Sequence, residues 1–178
     1  MSQEMKTLRF NTQFNVKFSL VSLYLALTFP LVFIALEGFK LLAILCLIIG
    51  LIFIFNISND YVIVNENVIS LETSFFSRIF GKNNYEIFWN DITSVKSFPT
   101  SQGSKVHYFV TSSGKSYLIP QRLERYDEFK KIVENKIKCL DTDLSVISPL
   151  WTYKVLSLIS TVMFIGEIYG FLLGSWNL

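Results

Sequence analysis

The chain has 178 residues, of which 51% are hydrophobic, 16% aromatic and only 17% charged, and its formal net charge is +2. A charged share this far below the quarter usual in soluble domains points to a membrane protein, and the near-neutral balance excludes the basic field that nucleic-acid binding needs. Two cysteines, Cys46 and Cys139, and one histidine, His107, exclude a disulfide framework and a zinc or haem site built from Cys and His, so no metal and no cofactor are expected.

In chain order, residues 1–17 form a cytoplasmic N-terminal segment carrying Lys6, Arg9 and Lys17. From Phe18 to Leu36 runs FSLVSLYLALTFPLVFIAL, nineteen residues without a charge, long enough for a transmembrane helix and longer than the apolar part of a signal peptide. Pro30 lies inside this run and is expected to bend it. After Glu37-Gly38-Phe39-Lys40 comes a second apolar run, Leu41 to Phe55 and extendable to Ile57, so residues 18–57 read as an antiparallel helical hairpin.

Residues 58–140 change texture. DYVIV (60–64) and VISLETSFF (68–76) flank Asn65-Glu66-Asn67, a tight turn by composition, and SRIFGKNN (77–84) reads as a loop. YEIFW (85–89) alternates, with Tyr85, Ile87 and Trp89 on one face. KVHYFVTS (105–112) and KSYLI (115–119) flank Ser113-Gly114, a second hairpin signal. In the first of these strands Val106, Tyr108 and Val110 read as one face and His107 as a partly exposed residue on the other. A helix from about Arg122 to Leu140 follows, with Leu123, Tyr126, Phe129, Ile132, Val133, Ile137 and Leu140 on one stripe. Residues 141–150 read as a polar linker, and 151–176 as a third transmembrane helix interrupted by Glu167 and bracketed by Trp151, Tyr153 and Trp176. Lysines and arginines flank the first and third spans on one side: Lys6, Arg9 and Lys17, then Lys136, Lys138 and Lys154. The hairpin turn holds Lys40 alone, so the N-terminus and residues 58–148 are assigned to the cytoplasm and the C-terminus to the outside.

Trp89, Ile92 and Val95 are spaced by three, which in a regular strand would point them to opposite faces; if all are inward, the chain bends or bulges at Asn90-Asp91, with Asp91 bonding the backbone at the corner. This pattern, I-x-W-x-x-I-x-x-V from Ile87 to Val95, resembles the strand-to-strand corner of bacterial pleckstrin-homology-like (PH-like) domains, as do the preceding helical hairpin and the passage SYLIPQRLERYDEF (116–129) into a terminal helix. The resemblance covers roughly residues 20–140. It implies a cytoplasmic antiparallel sheet or partial barrel capped by the C-terminal helix, hung from a membrane hairpin, and it implies no catalytic residue. The third span departs from the simplest members. The expected fold class is therefore membrane α plus α+β, with three transmembrane helices and one PH-like domain in a bacterial cytoplasmic membrane.

Neither a catalytic triad, a phosphate-binding glycine loop nor a paired-carboxylate motif is visible, so no enzyme is expected. Glu167 inside an apolar run reads either as an intramembrane polar contact or as a residue near the outer interface, with Glu37 and Lys40 on that same side and a Lys40–Glu167 pair as one arrangement. Arg78 and Lys82 are the best basic pair for anionic headgroups. Gly166, Gly170 and Gly174, four apart, hint at close helix packing. Trp89 invites ligand stacking, but its alternation with Tyr85 and Ile87 favours the core. The expected role is a scaffold or accessory subunit, with membrane lipids and other membrane subunits or a second copy as partners. The alternatives are an anionic-lipid-sensing module and a small transport or channel component using Glu167.

Overall fold

In the computed structural model, which describes residues 7–101, 104–137, 144 and 150–174, the chain divides into two units. One joins Met1–Gln13 to Asn59–Ser148; the other joins Phe14–Ser58 to Pro149–Leu178.

The first unit is built from two antiparallel sheets, a short helix α3 (Phe75–Ile79) and a longer terminal helix. Strands β1 (Leu8–Asn11), β2 (Tyr61–Val64), β3 (Val68–Glu72) and β4 (Tyr85–Phe88) form one sheet in that order. Strands β5 (Ile92–Pro99), β6 (Lys105–Thr111) and β7 (Ser116–Leu118) form the other. Alternation decides which side chains go inward: Val62 and Val64 from β2, Ile69 from β3, and Tyr85 and Ile87 from β4 are buried. The helix α4 (Tyr126–Lys136) adds Tyr126, Phe129 and Val133 to the same core, and Leu123 and Ile137 flank it.

Strand β1 corrects the expectation of a separate N-terminal segment over residues 1–17. Leu8 to Asn11 pair with Val64 to Tyr61, and Phe10 is 0% exposed, its ring 5.6 Å from that of Phe129 in an edge-on contact. On the other edge of β1, Gln13 N donates to Arg122 O at 2.9 Å, Glu124 N donates to Asn11 O at 2.8 Å, and Thr12 bridges to Leu123. Four residues alternate too briefly to announce a strand, and their partners lie some fifty and over a hundred positions away.

The same bonds explain why the terminal helix starts late. Residues 122–124 spend their backbone groups on residues 11–13, and Arg125 turns the chain with a left-handed φ of 54° before α4 begins at Tyr126. Arg125 is held there by its guanidinium, which donates to Arg9 O at 3.0 Å and to Glu128 at 3.2 Å. The expected helix over 122–140 is thus confined to Tyr126–Lys136 within the described residues; Leu140 lies outside them.

In β6 the expected faces are exchanged. His107, Phe109 and Thr111 are buried, while Val106, Tyr108 and Val110 are only half-buried. His107, expected to be partly exposed, is 0% exposed, with Nδ1 hydrogen-bonded to Ser97 Oγ. Both faces of the strand carry bulky residues, so hydropathy favoured the three apolar ones; a side-chain partner on the neighbouring strand is what admits histidine to the interior.

The second unit contains α1 (Phe14–Ile34), α2 (Lys40–Ile57) and α5 (Leu150–Leu172), with a short 3-10 turn, Glu37–Phe39, between the first two. All three helices are long and apolar enough to cross a membrane. Pro30 sits within α1 without ending it. Helix α1 begins at Phe14, four residues before the expected span, and its first turn carries Asn15 and Lys17. Trp176 and, apart from Leu144 and Leu150, the expected linker 141–150 lie outside the described residues, as do Lys6, Lys138 and Cys139.

Helix α1 packs against both α2 and α5. Ser19, Ser22 and Ala26 on α1 and Ser160 on α5 are buried small residues, and the serine hydroxyls bond to carbonyls of their own helix, which removes the cost of a polar group in an apolar seam. Further along, Phe29 meets Phe164 and Phe33 meets Phe171, at ring separations of 5.0 and 4.2 Å. Between α1 and α2 the side chain of Tyr24 lies against Gly50. A Cβ there would fall 2.0 Å from the hydroxyl of Tyr24, which donates to Cys46 O at 3.1 Å and Leu47 O at 3.3 Å. Gly50→Ala is expected to swing this hydroxyl away and loosen the hairpin by about 1 kcal/mol, the scale of interhelical polar bonds in membranes. Combining it with Tyr24→Ala should cost less than the sum of the two, read from thermal unfolding in detergent.

Candidate functional site

The corner between the two sheets is built from Trp89 outward. Trp89–Asp91 form a single 3-10 turn after β4, and the register of β5 on β6 shifts between Ile92 and Ser94, so one extra residue re-aims the chain. Trp89, Ile92 and Val95 are all buried, and the Trp89 ring meets Phe109 edge-on. Its indole Nε1 donates to Asn65 O at 3.0 Å and its backbone N to Asn67 O at 2.9 Å, so Trp89 also holds the β2–β3 turn. Asp91 is exposed and contributes its backbone carbonyl, which accepts from Ser112 N at 2.8 Å; the expected side-chain role is taken by the main chain.

Tyr85, on the strand leading into this corner, is buried, and its hydroxyl donates to Leu118 O at 2.9 Å across to the second sheet. Burial pushes its phenol well above the ordinary tyrosine range. The folded protein therefore keeps this proton at pH values where the unfolded chain, ionising near about 10, has lost it, so stability falls as pH rises beyond about 10. Tyr85→Phe is expected to flatten this alkaline slope while costing about 1 kcal/mol at neutral pH through the lost bond, measured as the unfolding midpoint across pH 8–11 by near-ultraviolet circular dichroism.

The segment between β3 and β4, expected to continue as strand to residue 76 and then as loop, contains a short helix, α3 (Phe75–Ile79). Ser74 caps it, its Oγ accepting from Ser77 N. The organiser is Asp60, which sequence reasoning did not single out. Its Oδ1 accepts from Ser74 N at 3.0 Å and from Ser77 Oγ at 2.9 Å, and its Oδ2 accepts from Lys82 Nζ at 2.9 Å. At the base, Asn84 Oδ1 accepts from both the backbone N and the hydroxyl of Thr73. Half of the expected basic pair is thus engaged by Asp60, while Arg78 lies exposed in the last turn of α3. The signal available in the sequence was the Ser-x-x-Ser spacing of 74 and 77, a helix start rather than a strand end.

In the helical unit the expected polar residues are not brought together. Lys40 pairs with Glu37 at 2.6 Å, three residues away on the hairpin turn, and not with Glu167. Glu167 is half-buried on α5, and its Oε2 has no hydrogen-bond partner among the described residues. Of the expected packing glycines, a Cβ at Gly166 would meet nothing within 4 Å, and Gly174 follows the end of α5 with a left-handed φ of 70°. Gly174 N bonds Phe171 O, making it a helix terminator, and Gly170 remains within α5. Close approach between helices is seen at Gly50, against Tyr24, and along the serine and alanine seam on α1. Among the described residues no group of three or more His, Cys, Asp or Glu side chains is arranged to hold a metal ion.

No family model matches the chain. An uncharacterized protein, slr0269, of Synechocystis sp. (strain ATCC 27184 / PCC 6803 / Kazusa) is 30% identical to it over 168 residues, an alignment that covers 91% of this chain and 84% of the Synechocystis protein. Similarity at that level along nearly the whole of both chains means that the chain belongs to the same family as this bacterial protein.

Proposed function

We propose that the chain is a non-enzymatic, membrane-anchored scaffold or accessory subunit, with a PH-like domain on the cytoplasmic face of a bacterial inner membrane. The observation that carries the reading is the pairing of β1 with β2. These strands precede and follow the helical hairpin in sequence, so a hairpin that crosses the bilayer and returns must have Leu8–Asn11 and Tyr61–Val64 on one side of it. The domain is then held at three covalent points, after Gln13, before Asn59 and after Ser148, the first two adjacent, which suits a platform fixed to the membrane better than a module on a tether. The membrane setting is supported by α2, which has no buried residue although nearly every side chain is apolar. Water would penalise that surface and a hydrocarbon core would not. The PH-like reading is supported by two antiparallel sheets meeting at a bulged corner and covered by a terminal helix.

Extraction of the native protein in mild detergent or polymer nanodiscs, followed by native electrophoresis and mass spectrometry, tests the assignment. A stoichiometric membrane partner or a stable self-assembly is expected; a lone monomer under both conditions overturns it. A second reading, a small transport component, is favoured by one observation, the unpartnered carboxylate oxygen of Glu167 on an apolar helix. Glu167→Gln that leaves assembly and activity of the native complex unchanged removes its basis.

A further inference from the structure

Helix α3 presents an apolar surface that the core of its own unit does not use. Phe75, Ile79 and Phe80 are 63%, 62% and 65% exposed, and Phe75 and Ile79, four apart, share one face of the helix. They are not on a loose loop. The cap at Ser74, the three bonds converging on Asp60 and the Thr73–Asn84 closure hold the segment in a defined shape. Three apolar side chains each more than three-fifths exposed on a hydrogen-bonded platform form a patch suited to an apolar medium.

Two features choose the occupant. Asp60 follows Ile57, the last residue of α2, by three residues, and three residues of chain reach at most about 11 Å. The residue that organises α3 is therefore tied covalently close to the end of a helix able to cross a membrane. Charge points the same way. Residues 73–84 contain Arg78 and Lys82 and no acidic residue, and Asp60, the one carboxylate bound to them, is mostly buried under Lys82 and two further donors. An apolar tip with a base beside it and its only acid neutralised matches the boundary between lipid headgroups and acyl chains.

We propose that Phe75, Ile79 and Phe80 enter the headgroup–acyl boundary of the bilayer that holds the three apolar helices, making α3 an interfacial foot of the cytoplasmic domain. This rests on the membrane reading above but not on the scaffold role. Insertion is driven by apolar burial, so it persists in zwitterionic lipid, unlike recognition of a charged headgroup by Arg78 and Lys82.

The test uses the full chain in a Cys46→Ala, Cys139→Ala background, reconstituted in phosphatidylcholine vesicles with and without phosphatidylglycerol. Single cysteines at 75, 79 or 80 carry an environment-sensitive fluorophore. Asn135, exposed on α4, serves as the aqueous reference, and Ile49, exposed on α2, as the membrane reference. At 75, 79 and 80, quenching by a nitroxide near the top of the lipid acyl chain, relative to quenching by aqueous iodide, is expected to exceed the value at Asn135 at least about threefold in both lipid mixtures. Quenching by iodide alone at these sites, with Ile49 reached by lipid, overturns the foot and leaves the membrane reading standing. Protection from both quenchers overturns it in favour of a protein partner. Iodide access at Ile49 overturns both readings. Should a labelled variant fail to fold, hydroxyl-radical oxidation of the unlabelled chain in vesicles decides: Phe75 and Phe80 are expected to react less than Phe88 and Phe98, which are somewhat less exposed at 57% and 51%, and equal or greater reactivity overturns the proposal.

Discussion

Phe10→Ala is expected to destabilise the sheet domain by about 3–5 kcal/mol, although Phe10 precedes the first apolar helix and lies forty-nine positions before Asn59, where the domain resumes in sequence. The ring is fully buried, packs edge-on against Phe129 and lies under the guanidinium of Arg125, so truncation leaves a cavity and strips a cation of its apolar contact. A stronger form of the same expectation concerns excision of the hairpin. Thr12 N donates to Asp60 O at 3.2 Å, so the ends left by removing residues 14–58 are close enough for a short glycine-serine link. A chain of residues 1–13, link and 59–148 is expected to fold in water with cooperative unfolding. Residues 59–148 alone are expected not to, because β2 and the 122–124 segment would both lose their partner strand. Equal stability of the two fragments by denaturant unfolding would refute the role given to β1.

Trp89→Ala is expected to cost a comparable amount, about 3–5 kcal/mol, in the linked domain. The indole fills the interior at the point where the chain passes from one sheet to the other, and its Nε1 fastens the β2–β3 turn through Asn65 O. Trp89→Phe separates the two contributions: most of the packing remains, and the loss of one buried bond should cost about 1 kcal/mol plus the smaller ring's missing volume. Hydrogen exchange gives an independent reading. In the alanine variant the Trp89–Asn67 and Asn65–Val68 amide bonds should lose protection before those of β6, since Trp89 fastens the turn through Asn65 O while β6 is paired on both edges. Uniform loss of protection across both sheets would instead mean that Trp89 acts only as core volume.

Much of the architecture was legible because its signals are local. Apolar length, uninterrupted in the first two and broken by Glu167 in the third, marks the three helices able to cross a membrane, and period-two alternation with turn residues marks the antiparallel strands. The stripe through Phe129 and Val133 marks the terminal helix. The break in alternation between Trp89 and Val95 is likewise a local statement about backbone direction, and a 3-10 turn followed by a bulge stands there. These features depend on neighbours one to four residues away, which is the range over which hydropathy and spacing carry information.

What only tertiary structure decided depends on partners far along the chain. LRFN is a strand because β2 and residues 122–124 offer it hydrogen bonds on both edges; the same bonds delay α4 to Tyr126. His107 is interior because Ser97 stands opposite, and Asp60 becomes an organiser because a serine cap and Lys82 fold back onto it. Gly50 admits a close helix contact because the hydroxyl of Tyr24, twenty-six positions earlier, lies against it. Hydrogen bonding and close packing are satisfied between whichever groups the fold brings within about 3–4 Å, and sequence position carries no distance information for such pairs. By itself the sequence determined where the chain is apolar, where it alternates and where it breaks; the long-range pairing decided that the segments before and after the hairpin are one domain.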